Sequence, residues 1–288
     1  MAKMNPRKEI KEAGVLLADL FAEELSPIAD ELIAQAMSAY RAGDKKLGDL
    51  KWTGEMAYRA RVRDVLALVS SNAIDNARKE VPKAKNVKLT EDWPSIQFAA
   101  VSVIFDRLPK EMRDFINAQC DLLVGTQLGD LERNLKFQYL DSFGTTDSEL
   151  LFEEDMREVC VDYIDGNSVR SGASLLASKT INEARSAFFF DKETLEEIDA
   201  FEFVNGDPVT DVCNDLAGRV FAKNDPNMFR YTPPLHWNCK SYIVPILKGN
   251  LGRREIEPLK PSTAKLEAQI QFSECGCNCH TYLTENPK

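Results

Sequence analysis

Apolar residues recur every three to four positions along the first two thirds of the chain, the period of a helix with one buried face. Ile10, Val15, Leu16, Leu17, Leu20 and Phe21 mark a first helix over 6–25. Ser26-Pro27 reads as a break that supplies an N-cap and a first-turn proline to a second helix. That helix carries Ile28, Leu32, Ile33, Ala36 and Tyr40 and stops at Gly43-Asp44. Val62, Val65, Leu66, Val69 and Ile74 give an apolar face to a third helix over 53–79. The polar stretch 83–92, next to Pro82, reads as a loop. Further helices are expected over 95–108, 111–139, 150–164 and 169–190. A loop over 142–147 separates the second of these from the third. Asp165-Gly166-Asn167-Ser168 forms a turn before the last, with Ser168 as its cap.

After Ile198 the period changes from helical to alternating. Residues 200–204, 218–221 and 241–245 read as short strands, with turns at 205–208 and 224–227. Pro233-Pro234 forces an extended approach to Leu235-His236, and Gly218 permits a tight hairpin. Residues 247–260 look like a linker and 262–271 like a short helix. The expected architecture is mainly α, of the α+β class. A helical body over 1–198 precedes a small strand-and-loop unit over 199–247, and 248–288 form a linker and a Cys-rich tail.

Composition places the chain among globular proteins. Of its 288 residues 44% are hydrophobic and 28% charged, enough apolar surface for a real core. No apolar run is long enough to span a bilayer, and no signal-peptide pattern follows Met1, so a soluble cytosolic product without membrane partners is expected. The net charge of −10 argues against a general nucleic-acid binder. Basic residues do cluster at Arg59, Arg61 and Arg63, at Lys83, Lys85 and Lys88, and at Arg253-Arg254. A solvated surface is the favoured reading, and non-specific contact with DNA the other. Phosphate-binding glycine loops are absent, and the carboxylates at Glu153, Glu154, Asp155, Glu196 and Glu197 lie on expected helices. Cys213 and His236 could suggest a thiol nucleophile and its base, but neither sits where a thiol would be activated. No enzyme is expected.

Seven cysteines and two histidines supply the remaining chemistry. An odd count without a secretion signal speaks against a disulfide framework. Cys120 and Cys160 lie in apolar helical surroundings and read as core, as does Phe188-Phe189-Phe190. His236 and Cys239 have a spacing that lets one turn wrap a zinc ion, and Cys213 could add a third ligand. A fourth position falls at Asp207 or Thr210, or in the thiol-dense tail of Cys275, Cys277, Cys279 and His280. Against zinc stands the plainer reading that cysteine is a small buried apolar residue.

The segments Asp207–Phe221 and Tyr231–Pro245 carry a further pattern. Asp207, Cys213, Leu216, Gly218 and Phe221, followed by Pro233, Pro234, His236 and Cys239 and a hydrophobic strand ending at Pro245, resemble the C-terminal domain of phage Mu F-like head-morphogenesis proteins. That family includes the minor head protein of SPP1-type phages. Lys179-Thr180 and Asn182 to Arg185 resemble a degraded form of the helix that precedes this domain. Thr210 stands where the family has its first cysteine, and Lys240-Ser241 where it has Arg-Cys. The resemblance implies a minor capsid protein of the virion, made in the host cytoplasm. Its partners would be the portal protein and the major capsid protein or scaffold, and its role head assembly, DNA packaging or delivery. A zinc-stabilised DNA-binding packaging accessory is the alternative.

Overall fold

The computed structural model describes residues 6–82, 104–106, 108–146, 148–206, 211–233, 235 and 239–259. Five long helices come first: α1 (Pro6–Arg41), α2 (Glu55–Glu80), α3 (Lys110–Ser142), α4 (Glu149–Ile164) and α5 (Asn167–Phe189). The short α6 (Lys192–Glu196) leads into β1 (Ile198–Val204). Then follow α7 (Asp211–Leu216), β2 (Val220–Ala222), a 3-10 turn at Met228–Tyr231 and β3 (Tyr242–Leu247). The strands form an antiparallel sheet in the order β2-β1-β3. The protein is therefore mainly α, with a small sheet, as its hydrophobic pattern predicts.

Two expected helices are one. α1 runs straight through Ser26-Pro27, where the sequence reads as a break. An internal proline costs about 3 kcal/mol, through a lost hydrogen bond and a ring clash. Leu25, Ile28 and Leu32 are all buried around it. Each contributes about 1.5–3 kcal/mol by burial, so keeping one continuous apolar face outweighs the break. The Ser26 hydroxyl, far from capping a new helix, donates back to the Ala22 carbonyl at 2.7 Å. Ser168 is not a cap either, because α5 already begins at Asn167 and Gly166 holds the N-cap position. The expectations for 83–92 and for 95–103 fall outside the described residues. Ile104 and Leu108 beside them are buried.

α6 and α7 have no counterpart in the sequence reading. Asp191 starts α6 by accepting from the backbone N–H groups of Glu193 and Thr194. β3 extends past Pro245 to Leu247, with Pro245 opposite Phe201. The sheet tolerates this proline because β3 is an edge strand. Residues 251–259, read as part of a linker, are held against β2. Ile256 bridges Val220, Glu257 N–H donates to the Val220 carbonyl at 2.8 Å, and Asp225 Oδ2 accepts from Leu259 N–H at 2.9 Å.

α5 lies at the centre, packed against α1 and α2, and touches α3 and α4 as well. One hydrophobic cluster runs from Ile10 to Leu259 and takes in the inner face of the sheet through Ile198, Phe201 and Phe203. Phe188 and Phe189 are fully buried within it, and the Phe189 and Phe190 rings lie 6.0 and 5.1 Å from that of Phe201. The outer face is a small separate cluster of Ala200, Val220 and Ile246 under Leu251.

Among the described residues, one charged side chain is buried in this core. Arg185 is 1% exposed. Its guanidinium forks onto the Glu80 carboxylate at 2.7 and 3.0 Å, donates to the Ile243 carbonyl at 3.3 Å and stands over the Phe189 ring at 5.1 Å. It thereby joins α2, α5 and β3. Removing one partner of such a pair strands a buried charge, which costs about 3–5 kcal/mol. Glu80→Gln is expected to lose about that much in urea denaturation, whereas the double change Glu80→Leu with Arg185→Met recovers part of it, the Ile243 carbonyl having lost its donor.

Candidate functional site

The site is built where α5 meets the chain entering β3. Ser178, Asn182 and Arg185 lie at helical spacing on one face of α5, amid the apolar Ala177, Ile181, Ala184 and Phe188. Each donates to a carbonyl on the extended chain opposite. Ser178 Oγ donates to Cys239 O, Asn182 Nδ2 to Ser241 O at 3.2 Å, and Arg185 Nη2 to Ile243 O at 3.3 Å. These acceptors sit at every second residue, whose carbonyls share one side of an extended chain. Seven helical residues advance about 10.5 Å and four strand residues about 13 Å, so the two ladders stay in step. A helix thus covers the edge of β3 with side-chain donors.

The same stretch is gripped from the sheet side. Gly206 N–H donates to Ser241 Oγ at 3.1 Å. A Cβ at Gly206 would overlap the Lys240 carbonyl, so only glycine allows this close approach. Lys240-Ser241 is where the resembled family has Arg-Cys, and here the Ser241 hydroxyl serves as a hydrogen-bond partner of the backbone. Gly218, at φ +74°, supplies the left-handed residue that ends α7 before β2, so it closes a helix and not the tight hairpin expected there.

Against this frame α7 places Cys213. Its sulfur lies 3.9 Å from that of Cys239, and both residues are fully buried. A disulfide would need about 2.05 Å, so the two sulfurs are not bonded to each other. The neighbouring Cys213 thiol, and then burial, hold the Cys239 thiol well above its ordinary pKa. Two sulfurs bound to one tetrahedral zinc at about 2.3 Å lie about 3.8 Å apart. The pair fits two corners of such a site. His236, Asp207, Thr210, Cys275, Cys277, Cys279 and His280 lie outside the described residues, and no group of three metal-ligating side chains occurs among the described ones. Of the seven expected ligands, Cys213 and Cys239 are placed, and they meet.

The other two cysteines among the described residues are core residues. Cys120 and Cys160 are buried, and burial pushes each thiol up to about 12. The arginine cluster on α2 is paired with carboxylates. Arg59 bridges Glu55 and Asp121, Arg61 reaches Glu23 and Glu24, and Arg63 meets Asp64 and stands over the Phe105 ring. Arg254 faces Glu202 at 3.9 Å. Lys83, Lys85 and Lys88 lie outside the described residues. No helix among the described residues is long and apolar enough to cross a membrane.

Sequence reasoning missed the polar ladder on α5. Its only signal is a set of polar residues at positions 178, 182 and 185 of a helix otherwise apolar on that side. α5 also carries Lys179 and Glu183, where burial lowers the amine to about 8 and raises the carboxyl to about 7.

Two outcomes are expected. Between the unfolded value near 4.5 and the folded value near 7, native Glu183 holds a proton that the unfolded chain has released. Stability therefore falls as pH rises through that window. Glu183→Gln is expected to raise the urea midpoint relative to the parent at about pH 8 and to leave it unchanged at about pH 4. Gly206→Ala is expected to cost about 1–3 kcal/mol in the same measurement, as overpacking does.

No protein-family model matches the chain, and no curated protein or solved structure is significantly similar to it.

Proposed function

We propose that this chain is a structural head-morphogenesis protein of a tailed phage and has no catalytic role. In this reading it is a minor capsid component that associates with portal or procapsid. It aids head assembly, DNA packaging or delivery and ends in the virion. Its partners are the portal protein and the major capsid protein or scaffold. The observation that best supports the reading is the meeting of Cys213 and Cys239 at 3.9 Å. They are the two cysteines that the motif of the resembled family retains inside this unit, and they converge from separate elements under α5.

The same reading gives the pair a structural zinc ion. Cys213 and Cys239 would hold it, with His236 as the third ligand of the motif and the tail residues Cys275, Cys277, Cys279 and His280 as candidates for the fourth. Bound there, the ion would tie α7 to the chain entering β3, where this chain's own contacts already gather. The alternative, a zinc-stabilised DNA-binding packaging accessory, has less support. The arginines of α2 face carboxylates, and the chain carries a net charge of −10.

Co-expression with the portal protein of the same phage, followed by size-exclusion chromatography and metal analysis, tests the proposal. Co-elution with portal and about one zinc per chain are expected. Failure to associate with portal or procapsid sinks the assembly role. A DNA affinity that falls steeply across a salt series would then favour the accessory reading.

A further inference from the structure

We infer that Ser178 and Asn182 are positioning residues for a metal ion shared by Cys213 and Cys239, so that α5 sets the geometry of the site without touching the ion. The inference rests on the metal reading of the thiol pair and adds to it the residues that hold the pair in place.

Cys239 is pinned at its own carbonyl and again two residues further on. Its own carbonyl accepts from the buried Ser178 hydroxyl. Two residues on, the Ser241 carbonyl accepts from Asn182 Nδ2, while the Ser241 hydroxyl accepts from Gly206 N–H. Asn182 also donates to the Ser178 carbonyl at 3.0 Å and lies 3.4 Å from the Ser178 hydroxyl, so the two donors brace one another. α5 in turn is fixed by the helices around it and by the Arg185–Glu80 pair. Cys213 stands on a helix of six residues between β1 and β2. Cys213 is packed into the main core with Val212 and Leu216, and α5 reaches the site from the Cys239 side.

Metal binding sharpens what this anchoring must do. Each buried thiol gives up its proton, so a divalent cation entering between them forms two metal–sulfur bonds and releases two protons to solvent. The resulting thiolates need fixed positions about 3.8 Å apart. Hydrogen bonds that orient a ligand from outside its coordination shell are commonly worth about 10- to 100-fold in metal affinity. Ser178 and Asn182 act on the backbone that carries the Cys239 sulfur, and that is the size of effect to look for. If they merely covered the edge of β3, they would change stability and leave affinity alone.

Cobalt(II), a spectroscopic stand-in for zinc, is the probe, titrated into the reduced full-length chain and followed by thiolate-to-cobalt charge-transfer absorption. The parent protein is expected to show the band, to lose it on zinc addition, and to lack it in Cys213→Ser. Ser178→Ala is expected to keep the band but weaken affinity about 10- to 100-fold, with Ser178→Thr restoring it. Asn182→Ala asks the same question should Ser178→Ala fail to fold, and thermal unfolding with a chelator present separates loss of fold from loss of metal. If the parent shows the band and both alanine variants bind cobalt as tightly as the parent, the positioning role is wrong and the metal reading survives. If the parent shows no band, or Cys213→Ser retains it in full, metal does not bind at this pair and both ideas fall.

Discussion

An edge strand packed against a helix exposes a row of carbonyls to a partner that has no free backbone N–H groups to offer along its middle. Buried and unmet, each such group costs about 1–3 kcal/mol. In this protein the edge is the start of β3 with the extended chain entering it, the helix is α5, and the answer is three side chains that donate across the gap. Much else follows from that choice. A donor long enough to reach Ile243 is an arginine, and an arginine 1% exposed needs a carboxylate, which Glu80 brings from the end of α2. The C-terminal turn of α2 is thereby committed to this corner. So is the start of α1, where the carboxyl of part-buried Glu9 is raised by desolvation and by nearby Glu80 against the lowering pull of Asn76 and Arg185. The polar requirement of one strand edge thus organises the junction of three helices and the sheet.

This also explains what could be read from the chain and what could not. The helices of the body were legible because each buries one stripe, and a stripe is a local pattern: α2, α3 and α4 begin and end within three residues of where periodicity puts them. Pro27 misled because the local cost of a proline is visible in sequence, while the continuous buried face that outweighs it depends on what packs opposite. α7 is one turn of helix in a region whose alternation suggests only strands. Ser178 carries no sequence signal of its own and Asn182 enters only through the resemblance of 182–185, since their acceptors lie about sixty residues away. The thiol pair was half legible. Motif and spacing singled out Cys213 and Cys239, but that their sulfurs meet, and that α5 holds one of them, depends on the sheet closing.

Charge bears on the proposed assembly role through a comparison of magnitudes. Exposed ion pairs such as Arg61 with Glu23 are worth at most about 1 kcal/mol each, so pairing alone would not keep an arginine from a phosphate. The field of the whole chain is the stronger restraint. With 46 acidic against 36 basic residues, a polyanion approaching at ordinary salt meets net repulsion before any arginine can exchange partners. α4 sharpens this, since Glu149, Glu153, Glu154, Asp155, Glu158 and Asp162 outnumber its one basic residue, Arg157, and among the described residues only Glu149 meets a cation of α1, Arg41. Exposed apolar side chains lie on the same helical pair, with Leu150 at 75% and Phe137 at 67% exposure. A surface that repels polyanions yet offers apolar contacts is suited to meeting other proteins. In the proposed role within a DNA-filled head, the acidic faces would favour protein partners over the genome. That electrostatic argument, independent of the cysteine motif, favours a protein-assembly role over a DNA-binding one.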